Sequence, residues 1–227
     1  MFSCQTEDGD IRGFLANQYA TYYTGATIAL LVRARYEDDR RVEKGFKWLL
    51  SMRQDDGGWT IPILTHRFDR QTMYKLTSQY AEPVEPDRSK PFSHNWTDMV
   101  LRAFAAHPKY RKSKEARIAG DLLKSSFFQP DFYSSYRSAS YWVRFQFWWP
   151  NLLTALDSLS LMDFSMDDQH IQRALKWFVD HQEPDGLWKT TYVKGKKETG
   201  NRENKELKLW LSLAISRIFK RLAGALY

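Results

Sequence analysis

The chain has 227 residues, 43% of them hydrophobic and 27% charged, a composition that excludes general disorder and supports a sizeable buried core. Thirty-four lysines and arginines against 27 aspartates and glutamates leave a formal charge of +7, spread out except for one basic stretch between Lys189 and Lys220. A single cysteine, Cys4, excludes an internal disulfide framework and an all-cysteine metal site.

The longest apolar runs, such as residues 28–32, are far too short to span a bilayer. The N-terminal residues lack the basic and apolar regions of a signal peptide. The expected location is the cytoplasm, peripheral to a membrane if the basic stretch meets an anionic surface. No nucleic-acid-binding module accompanies the charge, so no nucleic acid is expected as a partner.

Seven segments show apolar residues at helical spacing. Residues 22–35 carry Ala26, Ala29, Leu30 and Val32, and residues 42–52 carry Val42, Phe46, Trp48, Leu49 and Met52. Residues 98–106, 114–127, 150–161, 168–181 and 203–222 follow. In the last, Leu207, Leu211, Ala214, Ile218 and Leu222 share one face, and residues 209–215 are apolar nearly all round, which predicts burial on more than one side. Ser165 reads as the N-cap of the sixth helix and Pro150 as a first-turn residue of the fifth. No run alternates convincingly, so little strand is expected. Residues 60–93, with Pro62, Pro83, Pro86 and Pro91, read as a long loop inserted into a single all-α domain covering residues 1–227.

The sequence repeats itself. Residues 173–188 run from Arg173 and Ala174 through Trp177 to Gln182, Asp185, Gly186 and Trp188. Residues 44–59 run from Lys44 and Gly45 through Trp48 to Arg53, Asp56, Gly57, Gly58 and Trp59. A third trace, residues 5–11, keeps Gln5, Asp8 and Gly9 and has Ile11 in the tryptophan position; a worn fourth spans residues 126–132. In each good copy a helix ends, a glycine allows the left-handed turn, and an indole covers the join to the next hairpin.

These copies resemble the QW motif: a basic residue, a small residue, an aromatic, an aliphatic, then Gln, Gly and Trp at fixed spacing. Residues 173–188 match except that Phe178 replaces the aliphatic residue, and residues 44–59 have Arg53 in place of the glutamine. The motif marks the α/α-toroid superfamily of squalene and oxidosqualene cyclases, related diterpene cyclases and protein prenyltransferase β subunits. The resemblance implies an α/α toroid of antiparallel helix hairpins, partial or open, with about seven helices. It also implies an isoprenoid or other apolar substrate in an aromatic-lined cavity. Gly57, Gly58, Trp59, Gln182, Asp185, Gly186 and Trp188 would then be structural residues of the repeat.

The catalytic signatures of that superfamily are absent. Its squalene–hopene-type cyclases use Asp-x-Asp-Asp as a general acid, and this chain has only the pairs Asp38–Asp39, Asp55–Asp56 and Asp167–Asp168, each with a ready structural explanation in a connector, a turn or a helix start. Prenyltransferases bind zinc through Asp, Cys and His, but Cys4 lies outside that pattern and His66, His94, His107, His170 and His181 are scattered, so no metal and no cofactor are expected.

Two weaker constellations remain. His94 and Asp98, four apart, form a candidate proton-donating pair, with helix capping as the alternative. Aromatics crowd residues 133–149; Tyr141, Trp142, Phe145, Trp148 and Trp149 are candidates to line a pocket, with packing between helix layers as the alternative. A non-catalytic toroid binding an apolar ligand or a protein, and a carbohydrate-active toroid, are the other functional readings. Seven helices fall short of a ring of about six hairpins, and the turn at residues 5–11 has no helix before it. A fragment, or a second subunit closing an open edge, is therefore expected.

Overall fold

The computed structural model describes residues 1–12, 21–78, 84–133, 138–145, 149–190 and 202–224. Among them are eight helices: α1 (Thr21–Arg33), α2 (Arg40–Ser51), α3 (Arg70–Ser78), α4 (His94–Ala106), α5 (Lys114–Ser125), α6 (Leu152–Leu161), α7 (Gln169–Asp180) and α8 (Arg202–Gly224). Backbone pairing of the β type is confined, in these residues, to two isolated bridges, Gln5 with Ile11 and Gln182 with Trp188.

The helices form two layers. An inner row packs α1 on α4, α4 on α6 and α6 on α8; α2 lies outside α1, and α5 lies outside α4 and α6 and touches α7. This alternation of inner and outer helices is an arc of an α/α toroid, as expected. The inner row is tight. A Cβ added to Gly25 of α1 would sit 2.8 Å from the Cα of Val100 in α4, so glycine lets the two backbones approach. The central inner helix, α4, is accordingly buried almost all round, from His94 to Leu101 and again from Ala103 to Ala105.

Local chemistry sets the helix starts. Asp39 caps α2 by accepting from the Arg41 N–H, and Ser93 caps α4 by accepting from Trp96. Asn151 and Thr154 form a reciprocal capping box at the start of α6. Pro150 therefore lies ahead of the cap rather than in the first turn. Asp168, not Ser165, caps α7, accepting from His170 and Ile171; the Ser165 hydroxyl accepts from Asp167 instead.

Residues 60–93 are not a plain loop. They hold a 3-10 turn, Pro62–Thr65, and α3, whose largely exposed surface explains its weak apolar signal. The end of the segment is clamped near the α2 turn: Gln54 Nε2 donates to the carbonyls of Asp87 (2.8 Å) and Lys90 (3.0 Å), and Ser93 N donates to Trp59 O (3.0 Å). A second correction concerns α8. Leu211, Ile215, Ile218 and Leu222 are buried, but Leu207, Leu209, Trp210 and Leu213 are exposed, because α6 is the principal described neighbour and covers one side only.

Three turns share one geometry. Gly9, Gly57 and Gly186 adopt φ of 111°, 102° and 79°, values that favour glycine. Gln5 Nε2 donates to Gly9 O at 2.9 Å and Gln182 Nε2 to Gly186 O at 2.7 Å. Arg53 substitutes for the glutamine, its Nε donating to Gly57 O at 3.0 Å. The closing residue of each turn then donates its backbone N–H to a hydroxyl of the next inner helix: Ile11 to Thr24 (2.9 Å), Trp59 to Thr97 (2.9 Å) and Trp188 to Ser212 (3.0 Å). Each indole reaches back to the preceding outer helix, Trp59 to Leu49 O (2.6 Å) and Trp188 to Phe178 O (2.7 Å). One residue thus staples both helices of a join. The worn fourth copy has no such turn glycine, and the position in α6 corresponding to Thr97 is Ala155, which has no hydroxyl. There Trp142 Nε1 donates to Gln129 O at 2.9 Å.

Candidate functional site

A half-open cavity of about 640 Å³ lies along the inner row, lined from α1, α4, α6, α8 and the turn after α4. Its charged lining is Arg33, Arg102, Arg111, Arg217, Arg221 and Asp157, set among alanines of α4 and α8 and leucines of α6. Asp157 pairs with Arg221 and lies 3.8 Å from Arg33. No described residue lining this cavity is aromatic.

Asp98 stands directly behind this wall. It is fully buried, and its Oδ2 accepts from Arg102 (2.7 Å) and from the Thr154 hydroxyl (2.9 Å), two residues that line the cavity. Its Oδ1 is buried with no hydrogen-bond partner. Burial holds the carboxyl above the usual carboxylate range, outweighing the downward pull of Arg102 and Thr154. Thr154 therefore both caps α6 and orients Asp98.

His94 does not pair with Asp98. Its Nδ1 lies 3.5 Å from Asp131 Oδ2, an oxygen that also accepts from the Ser93 hydroxyl (2.8 Å) and the Asn95 N–H (3.2 Å). Burial pushes the imidazole down to about 4 despite the attraction of Asp131, so it is neutral at pH 7.

The aromatic candidates gather at the other end of the inner row, around the first turn of α4. Trp142 lies against His94 (4.5 Å between ring centroids) and Phe127 (5.2 Å). Trp149 meets Trp96 edge-on, Phe145 packs on Trp177 and Phe178, and Arg144 covers the ring of Tyr141. Trp148, with Tyr136 and Phe147, lies outside the described residues.

The acid pairs do structural work. Asp39 caps α2, its carboxyl lowered to about 2 chiefly by hydrogen bonding to the Arg41 side chain. Asp56 accepts from the N–H of Gly58 (3.0 Å) and of Phe92 (2.8 Å) within the turn, and Asp168 caps α7. In the other repeat turn Asp185 accepts from Leu187 N at 3.0 Å. Among the described residues no three of His, Cys, Asp and Glu come together as a metal site requires, and no helix is long and apolar enough to cross a membrane.

The arginine lining was not anticipated from the sequence. Its members come from three separate helices and a turn, and the sole local signals are the helical spacings Asp98–Arg102 and Arg217–Arg221.

No curated protein matches this sequence. The family model described as the squalene-hopene cyclase C-terminal domain matches residues 21–206. That span contains α1 to α7 and both complete tryptophan turns and ends in the first turn of α8; it covers most of the chain, which belongs to the squalene-hopene cyclase C-terminal domain family.

Proposed function

We propose that this toroid arc binds an isoprenoid, or a similarly long apolar molecule, on the concave side of its inner helices, in the cytoplasm or at a membrane surface. The observation that carries the reading is the half-open cavity of about 640 Å³ lined by α1, α4, α6 and α8 in a chain of this family. Asp98 is the candidate proton donor. Asp98 lies behind Arg102 and Thr154, so its Oδ1 would meet a bound alkene, and give it the proton that makes a carbocation, once those two side chains moved aside; they would then hold the resulting carboxylate through Oδ2.

A second reading is a non-catalytic toroid that binds the same class of ligand or a protein. It is favoured by the missing Asp-x-Asp-Asp motif, by the capping roles of Asp39 and Asp168 and by the turn bonds of Asp56. A sugar-cleaving toroid needs two facing carboxylates, whereas Asp157 is the one carboxylate among the described lining residues. The exposed Leu209 and Leu213 of α8 form the edge at which a second subunit closing the arc would pack.

Incubation with squalene and with geranylgeranyl diphosphate, followed by product analysis, tests the reading. A cyclised product that disappears in Asp98→Asn supports the enzyme. Saturable binding without product supports the non-catalytic form, and absence of both product and binding rejects the isoprenoid reading.

A further inference from the structure

We infer that the arginines of the concave cavity form a binding site for the phosphate or diphosphate head of an amphiphilic ligand. The inference rests on the isoprenoid reading for the apolar part of that ligand and on independent observations for the head.

The first observation is charge. Five arginines line one cavity whose single described lining carboxylate, Asp157, is shared between Arg33 and Arg221. Arg102 is held by Asp98, but Arg111 and Arg217 have no carboxylate partner among the described residues. Like charges so placed repel one another, and a bound polyanion relieves that repulsion. The second observation is an unused donor: Nε of Arg111 is buried without a hydrogen-bond partner. A guanidinium presents its donors as a planar fork that matches phosphate oxygens, which a neutral apolar ligand would leave unsatisfied.

The third observation places the apolar part. Trp210, Ala214, Arg217 and Arg221 follow one another at helical spacing along α8, and the last three line the cavity. Trp210, 68% exposed, continues that stripe toward the N-terminal end of α8. A ligand with its head among the arginines would lay its chain along this indole.

The test measures binding of three probes to the full chain by calorimetry: inorganic pyrophosphate, geranylgeranyl diphosphate and geranylgeraniol. Arg217→Gln and Arg111→Gln are compared with wild type after circular dichroism confirms their folding. Arg217 is exposed, so its substitution carries little folding risk. The expected result is geranylgeranyl diphosphate binding at least roughly tenfold more tightly than either other probe, with a loss of about tenfold in each variant and no change for geranylgeraniol. If pyrophosphate binds as tightly as geranylgeranyl diphosphate and both weaken in the variants, the anion site stands and the isoprenoid reading fails. If geranylgeraniol binds as well as its diphosphate and neither variant alters binding, the anion site is overturned while the isoprenoid reading survives. Failure of pyrophosphate and geranylgeranyl diphosphate to bind at all also overturns the site.

Discussion

Arg53 donates its Nε–H to the carbonyl of Gly57 at 3.0 Å, the bond that Gln182 makes to Gly186 at 2.7 Å. A long cation has thus taken over the work of an amide, with its guanidinium 5.5 Å from the centre of the Trp59 ring. Partial burial pulls its pKa below the ordinary arginine value, opposed by Glu115 and Asp56. Arg53→Gln should leave stability within about 0.5 kcal/mol of wild type, whereas Arg53→Ala should lose about 1–2 kcal/mol with the hydrogen bond. Urea unfolding of the pair checks this; equal losses in both would show that the bond to Gly57 is not what the side chain contributes.

Trp59 is fully buried between α2 and α4, and Trp188 is 7% exposed between α7 and α8. Trp59→Ala should cost about 3–5 kcal/mol, and Trp188→Ala an amount near the lower end of that range. A wild-type melting temperature in either variant would contradict the stapling role.

Thr97 Oγ1 accepts from Trp59 N at 2.9 Å and donates to Trp59 O at 3.1 Å. Thr97→Val keeps the shape and strands the Trp59 N–H in the core, while Trp59 O keeps its bond from Ser93 N. The expected loss is about 1–3 kcal/mol in denaturant unfolding, while Thr97→Ser should retain most of the stability.

His94 gives the fold a pH dependence. Its folded-state pKa of about 4 lies below the ordinary histidine value of 6.5, so between these limits the unfolded chain binds the extra proton. Its neutral form therefore favours folding fully above pH 6.5, and that contribution is lost as pH falls toward 4, by about 3 kcal/mol in all. Stability measured from pH 7 to pH 4 should fall by more in wild type than in His94→Gln. Parallel curves would contradict the assignment.

Seven of the eight described helices were legible because each buries a face at helical spacing, as Val42, Phe46 and Leu49 do in α2. Helix α3 was not, since Arg70–Ser78 packs weakly and lies in a proline-marked stretch. The tryptophan turns were legible because their chemistry is local: glutamine, glycine and indole lie within seven residues. The site was not local. His94 finds its carboxylate 37 positions away, in Asp131, and Arg33 and Arg217 meet one cavity only after four helices have packed side by side. The crowded aromatics left two readings open because composition shows their affinity for apolar surroundings but not which surface satisfies it; the described ring contacts of Trp142 and Phe145 are with His94, Phe127, Trp177 and Phe178.

The central claim is that the ligand lies on the concave face of the inner row. Photocrosslinking with a benzophenone-bearing geranylgeranyl diphosphate, read by peptide mass spectrometry, tests it most directly. Adducts confined to cavity-lining segments, around Leu153 and Leu161 of α6 and Ala214 of α8, are the predicted result. Adducts on the outer helices α2, α5 and α7, or labelling that excess unlabelled ligand fails to suppress, would contradict it.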